Sequence, residues 1–109
     1  IHSPVEEVPM GDSSFDVAFS RHVLEHLPTF RECLGEMIRV GRKEAINVFF
    51  IEPGSDPEKI DFYEPDQLFH NKYNKKDIED FCRSNPKVKE LRWERVNAKE
   101  VVLFLDLVQ

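Results

Sequence analysis

GDSSFDVAFSRHVLEHLP, residues 11–28, joins a turn, a strand, a polar corner and a helix start within eighteen residues. Gly11, Asp12, Ser13 and Ser14 are turn formers, and Phe15, Val17 and Phe19 bracket a short apolar run ending at Ser20, the pattern of a buried strand in an α/β sheet. Beyond it the period changes, because Val23, Leu24 and Leu27 fall at helical spacing. Ser20, Arg21 and His22 therefore occupy a strand-to-helix corner at the carboxyl end of the strand, where open α/β sheets place their ligands. That corner is the candidate site.

Working outward, Thr29 with Glu32 three residues later forms a capping-box signature, and Phe30, Cys33, Leu34, Met37 and Ile38 trace one helical face until Gly41 ends it. AINVFFI, residues 45–51, is a near-continuous run of strand formers, as in a central parallel strand covered on both faces. Asn74 caps a second helix with Asp77 at its third position, and Ile78, Phe81 and Cys82 supply the buried face before Asn85 and Pro86 break it. Residues 88–96 and 101–108 read as strands joined by a hairpin connection at 97–100. The order is strand, helix, strand, helix, strand, strand, with no internal repeat.

The string Phe15, Asp16, Val17, Ala18, Phe19, Ser20, followed by His22, Val23, Leu24, Glu25 and His26, resembles the fourth strand and following helix start of class I S-adenosylmethionine-dependent methyltransferases of the type 11-like group. The element order resembles the C-terminal half of that fold. The resemblance implies an α/β, partial Rossmann-like sheet of order 4-5-7-6, with the seventh strand antiparallel and helices packed on the sheet. Residues 1–109 would then be a single domain, the C-terminal part of the family's domain. Gly11, Gly35, Gly41 and Gly54 are too scattered for a GxGxG turn, and the acidic residue that holds the cofactor ribose has no counterpart. The implied function is methyl transfer to a small-molecule acceptor, this chain being the acceptor-side half. S-adenosylmethionine would need a missing N-terminal half, so the isolated chain is expected to be inactive. The first strand would keep an unpaired edge, a route to self-association.

By the same resemblance, Ser20, Arg21 and His22 lie beside the methionine part of the cofactor, and Ile1 and His2 follow the acidic residue that reads the adenine. Methyl transfer rests mainly on positioning, and a base helps when the acceptor is a hydroxyl. His26, His22 and His70 are the candidates for that role. The corner lacks the Asn/Asp-Pro-Pro-aromatic sequence of relatives that methylate amino groups on bases or glutamine, which argues against that acceptor class. HVLEH fits the HxxEH peptidase pattern literally, but Pro28 interrupts the helix almost at once. Some methyltransferase relatives carry ExxEH here and bind a divalent ion. His22 replaces the first Glu, and local hydrogen bonding by Glu25 and His26 is the plainer reading of a His22, Glu25, His26 metal set, so no metal is expected.

Residues 52–73 are too many for an ordinary connection. Phe62, Tyr63, Phe69, Tyr73 and His70 favour order within this segment, which would sit at the same sheet edge as the Ser20 corner and form an acceptor lid. Phe62, Tyr63, His70 and Tyr73 are its candidate substrate-binding residues, although a structural role is the more ordinary one for a histidine such as His70.

A formal net charge of −6 leaves no basic footprint for a nucleic-acid backbone. Cys33 and Cys82 sit at apolar helical positions without CxxC spacing and read as reduced core thiols. No apolar run approaches the roughly 20 residues of a membrane span and no signal pattern opens the chain, so a cytoplasmic location is the default expectation. A start at Ile1 rather than Met leads to the expectation of a fragment or trimmed product. The alternative to an enzyme is a non-catalytic α/β interaction module that binds a protein partner.

Overall fold

The computed structural model describes residues 11–108. Strand β1 (Phe15–Arg21) leads through a corner to helix α1 (Arg31–Val40), which passes directly into β2 (Gly41–Phe49). A small hairpin, β3 (Phe62–Tyr63) and β4 (Leu68–Phe69), precedes helix α2 (Lys75–Arg83), and strands β5 (Val88–Arg95) and β6 (Val101–Leu107) follow. The main sheet has the order β1-β2-β6-β5, with β1 parallel to β2 and β6 antiparallel to both of its neighbours. This is a mixed α/β sheet with the expected partial Rossmann-like arrangement.

The core lies between one face of the sheet and the two helices. Leu34 and Ile38 of α1 and Ile78 and Cys82 of α2 are buried with Ala45 and Phe49 of β2 and Leu103 and Leu105 of β6. Each fully buried leucine, isoleucine or phenylalanine among them contributes about 1.5–3 kcal/mol relative to exposure. Successive strand residues point to opposite faces, and among the described residues the helices pack on one face only. Val17 and Phe19 consequently stand 45% and 61% exposed, which corrects the expectation of a buried first strand. The expectation that β2 is covered on both faces is corrected for the same reason, since Ile46 and Val48 are only half-buried. Further along that open face the Arg92 guanidinium lies 4.3 Å from the centroid of the Phe104 ring.

Local chemistry explains most element boundaries. The Asn74 side-chain oxygen accepts a 2.9 Å hydrogen bond from Asp77 N–H, so α2 is capped as expected. The Thr29 hydroxyl instead accepts from Arg31 N–H at 3.3 Å, and α1 starts one residue after Phe30 without a side-chain cap, so the expected capping box does not form. After β1 the helical spacing yields only a single 3-10 turn, Leu24–His26. Pro28 disfavours helical geometry in the residue before it, and Leu27 is extended at φ −100° and ψ 157°.

The 52–73 segment is folded. Phe62 pairs with Phe69 and Tyr63 with Leu68 around a 3-10 turn, Glu64–Asp66. Isolated bridges join Lys59 to Lys72 and Gly54 to Asn74, which ties the segment down at its base. No helix among the described residues is long and apolar enough to cross a membrane.

Candidate functional site

The end of β1 sets the geometry of the corner. His22 has a left-handed backbone, φ 57°, and its N–H donates to the Val48 carbonyl at 2.9 Å. This conformation is uncommon for a residue with a Cβ and turns the chain sharply off the sheet edge. Arg21 and His22 then face the β5–β6 hairpin, because Val101 pairs with Phe49 and so delivers residues 97–100 to the carboxyl end of β2. The result is an open cavity of about 650 Å³ lined by Arg21, His22, His26, Phe50, Asn97, Lys99 and Glu100. Its size is that of a small-molecule site.

Glu100 organises one wall. One of its oxygens accepts from His22 Nε2 at 2.6 Å and from Arg21 Nη2 and Nε at 3.1 and 3.2 Å, while the other accepts from Asn97 Nδ2 at 2.7 Å. The Asn97 hydrogen bond, with those from His22 and Arg21, holds the carboxyl down at about 2. A carboxylate only accepts, so the proton between His22 and Glu100 sits on His22 Nε2.

His26 is oriented by the aromatic segment. Its Nδ1 lies 2.7 Å from the Phe69 carbonyl oxygen. A carbonyl cannot donate, so Nδ1 carries the hydrogen and the neutral ring keeps its lone pair on Nε2. The Phe50 ring packs against both imidazoles, with centroids 5.0 Å from His22 and 5.4 Å from His26. Beneath them Glu25 is fully buried, and its Oε2 accepts from the backbone N–H of Phe50 at 2.7 Å and of Ile51 at 3.3 Å. Glu25 also accepts through its backbone carbonyl from Asn71 N–H at 2.9 Å. It therefore ties together the 3-10 turn, the end of β2 and the aromatic segment.

The remaining sequence candidates are placed differently. Ser20 Oγ donates to Asn47 Oδ1 at 2.7 Å and does not line the cavity. His70 Nε2 is 2.8 Å from Asp66 Oδ2, and its ring stands edge-on to His26 at 5.2 Å, behind the lining residues. Phe62 and Tyr63 are exposed on the small hairpin, Phe62 against Phe69 and Tyr63 against His70. Tyr73 is 1% exposed in the core, its hydroxyl donating to the Leu24 carbonyl at 2.7 Å and accepting from Asn71 Nδ2 at 3.0 Å. Burial pushes that phenol up to about 12. Tyr73 anchors the 3-10 turn from below rather than facing the cavity. Ile1 and His2 lie outside the described residues. Among the described residues no group of three or more His, Cys, Asp or Glu side chains is placed to hold a metal ion.

Phe50, Asn97, Lys99 and Glu100 were not legible as site residues. The one available signal was topological: a final antiparallel hairpin beside parallel strands returns its turn to their carboxyl edge.

The fold is of the class I methyltransferase type. A family described as a methyltransferase domain matches residues 1–49, the N-terminal part of the chain. This corrects the expectation that the resemblance is to a C-terminal half only. The recognisable string at residues 15–26 lies inside that match, while residues 50–109 carry the likeness in structure rather than in sequence pattern. The chain superimposes over its full length on 50% of 1,6-didemethyltoxoflavin-N1-methyltransferase from Burkholderia thailandensis, solved with 1,6-didemethyltoxoflavin and S-adenosylhomocysteine, with a TM-score of 0.73 and 15% identity. A Pyrococcus horikoshii OT3 protein matches 99% of the chain over 58% of its own length, with a TM-score of 0.68 and 13% identity. A SAM-dependent methyltransferase from Methanosarcina mazei matches 97% over 65% of its length, with a TM-score of 0.66 and 13% identity. The chain thus spans about half to two thirds of these structures. No curated protein sequence matches it.

Proposed function

We propose that this chain takes part in S-adenosylmethionine-dependent methyl transfer to a small-molecule acceptor, with the cavity between β1, β2 and the β5–β6 hairpin as the acceptor site. The observation that carries this reading is His26. Its Nδ1 is pinned to the Phe69 carbonyl, which leaves Nε2 available to accept a proton at the rim of a cavity walled by Phe50. The likeness to methyltransferase structures, one of them holding S-adenosylhomocysteine and 1,6-didemethyltoxoflavin, supports the same reading.

The cofactor fits these residues on one side only. Arg21 and His22 would form its wall at the corner, but their side chains are already engaged by Glu100, and Ser20 is engaged by Asn47. Neither a glycine-rich turn nor an acidic ribose partner is found among the described residues. When bound, S-adenosylmethionine supplies an electrophilic methyl group on a sulfonium sulfur. This chain's residues position the acceptor, hold the corner rigid and take up the proton.

The test is a titration of the 109-residue chain with S-adenosylhomocysteine, followed by backbone amide NMR. Weak binding with shifts concentrated at residues 20–26 is expected. Shifts that appear only outside residues 20–26 would overturn the assignment of the corner.

A further inference from the structure

We infer that the acceptor is a planar aromatic hydroxyl compound carrying a negative charge, recognised by Lys99 and deprotonated at His26 Nε2. This inference rests on the methyl-transfer reading for the reaction but not for the binding. It follows from subtracting the cavity's internal pairs. Glu100 is saturated by Arg21, His22 and Asn97, and it neutralises the Arg21 guanidinium in return. The Asn97 oxygen is occupied as well, accepting from the backbone N–H groups of Lys99 and Glu100 at 2.8 and 2.9 Å.

Three features are left for a ligand. The Phe50 ring, packed against two imidazoles, gives the cavity an apolar aromatic lining for a ligand ring to pack on. His26 Nε2 offers a lone pair to an O–H donor. Lys99 lines the cavity, and among the described residues its ammonium has no ion-pair or hydrogen-bond partner, so it is the one cation there whose charge is not already offset. A hydroxylated ring that also carries a carboxylate or other anionic group offers one partner to each of the three. In the proton step the O–H electron pair stays on the acceptor oxygen and the proton passes to His26 Nε2, giving an imidazolium whose Nδ1–H remains bonded to the Phe69 carbonyl.

The experiment compares three probes by calorimetry and NMR on the 109-residue chain: 4-hydroxybenzoate, its neutral amide 4-hydroxybenzamide, and the cation tyramine. 4-Hydroxybenzoate should bind about tenfold more tightly than the amide, with tyramine weakest. Lys99→Gln should erase the difference between acid and amide, while Lys89→Gln, at an exposed position on β5, should preserve it. Lys99 is itself exposed on the hairpin, so its variant is expected to fold normally. Binding of 4-hydroxybenzoate should also shift the His26 Nε2 resonance. Equal affinity for acid and amide, an unchanged preference in Lys99→Gln, or no binding of any probe would overturn the inference. The two proposals fail separately: S-adenosylhomocysteine shifts that fall only outside the corner, with a Lys99-dependent preference intact, remove the methyl-transfer reading alone, and the converse removes the acceptor class alone.

Discussion

The Glu25 carboxylate accepts a 2.7 Å hydrogen bond from the backbone N–H of Phe50, the residue whose ring forms the wall of the cavity. Removing this acceptor leaves the backbone donor without a partner. Glu25→Ala should therefore lower stability by about 2–3 kcal/mol in urea unfolding. Glu25→Gln, which keeps an acceptor oxygen at the same reach, should lose about 1 kcal/mol. Equal losses for the two variants would show that packing, not the hydrogen bond, holds the Phe50 backbone.

Glu100 makes stability depend on acid. Its folded carboxyl is held at about 2, below an ordinary value of 4.5, by Asn97, His22 and Arg21. A lowered carboxylate stabilises the fold above its ordinary value, and that contribution is lost as pH falls towards the folded value. The gap in urea midpoint between the native chain and Glu100→Gln should be present at about pH 4.5 and close between about 4.5 and 2. A gap independent of pH across this window would contradict the ion cluster.

Strand and helix identities were legible wherever local chemistry decides them. The Asn74 cap needs only Asp77 three residues on, and the 3.6-residue spacing of Leu34, Ile38 and their neighbours needs only a surface to pack against. What could not be read depends on pairing between distant segments. Phe19 looks like a core residue because apolarity in a strand does not say which face of the sheet is covered. The helix expected after β1 shrinks to one turn because the proline's effect on Leu27 outweighs the spacing of Val23, Leu24 and Leu27. Three of the seven cavity-lining residues, Asn97, Lys99 and Glu100, reach the corner only through the register of Val101 with Phe49. Tyr73 shares the aromatic character of Tyr63, yet its hydroxyl finds the Leu24 carbonyl inside the fold and Tyr63 remains outside.

The edge position of β1 has a solution consequence. Among the described residues β1 is an edge strand, and with Phe19 exposed it favours pairing with another chain. Phe19→Lys should reduce any self-association of the chain seen by sedimentation or light scattering, at little cost in stability because the native ring is 61% exposed. Association unchanged by this variant would place the contact elsewhere.

The direct passage from α1 into β2 depends on the size of Gly41. Its backbone, φ −73° and ψ 139°, is open to any residue, so the requirement is space rather than conformation. A Cβ added there would lie 2.9 Å from Leu107 Cδ1, 2.9 Å from the Met37 carbonyl oxygen and 3.0 Å from the Glu44 carbonyl oxygen. A leucine methyl can rotate away, but the two carbonyls belong to the helix end and to the strand that starts there. Gly41→Ala should therefore cost about 1–3 kcal/mol by overpacking. Trimming the side chain opposite, in Gly41→Ala combined with Leu107→Ala, should not recover that loss, because the carbonyl contacts persist. Recovery in the double variant, measured as a urea midpoint no lower than that of Leu107→Ala alone, would show that the side chain rather than the backbone sets the limit.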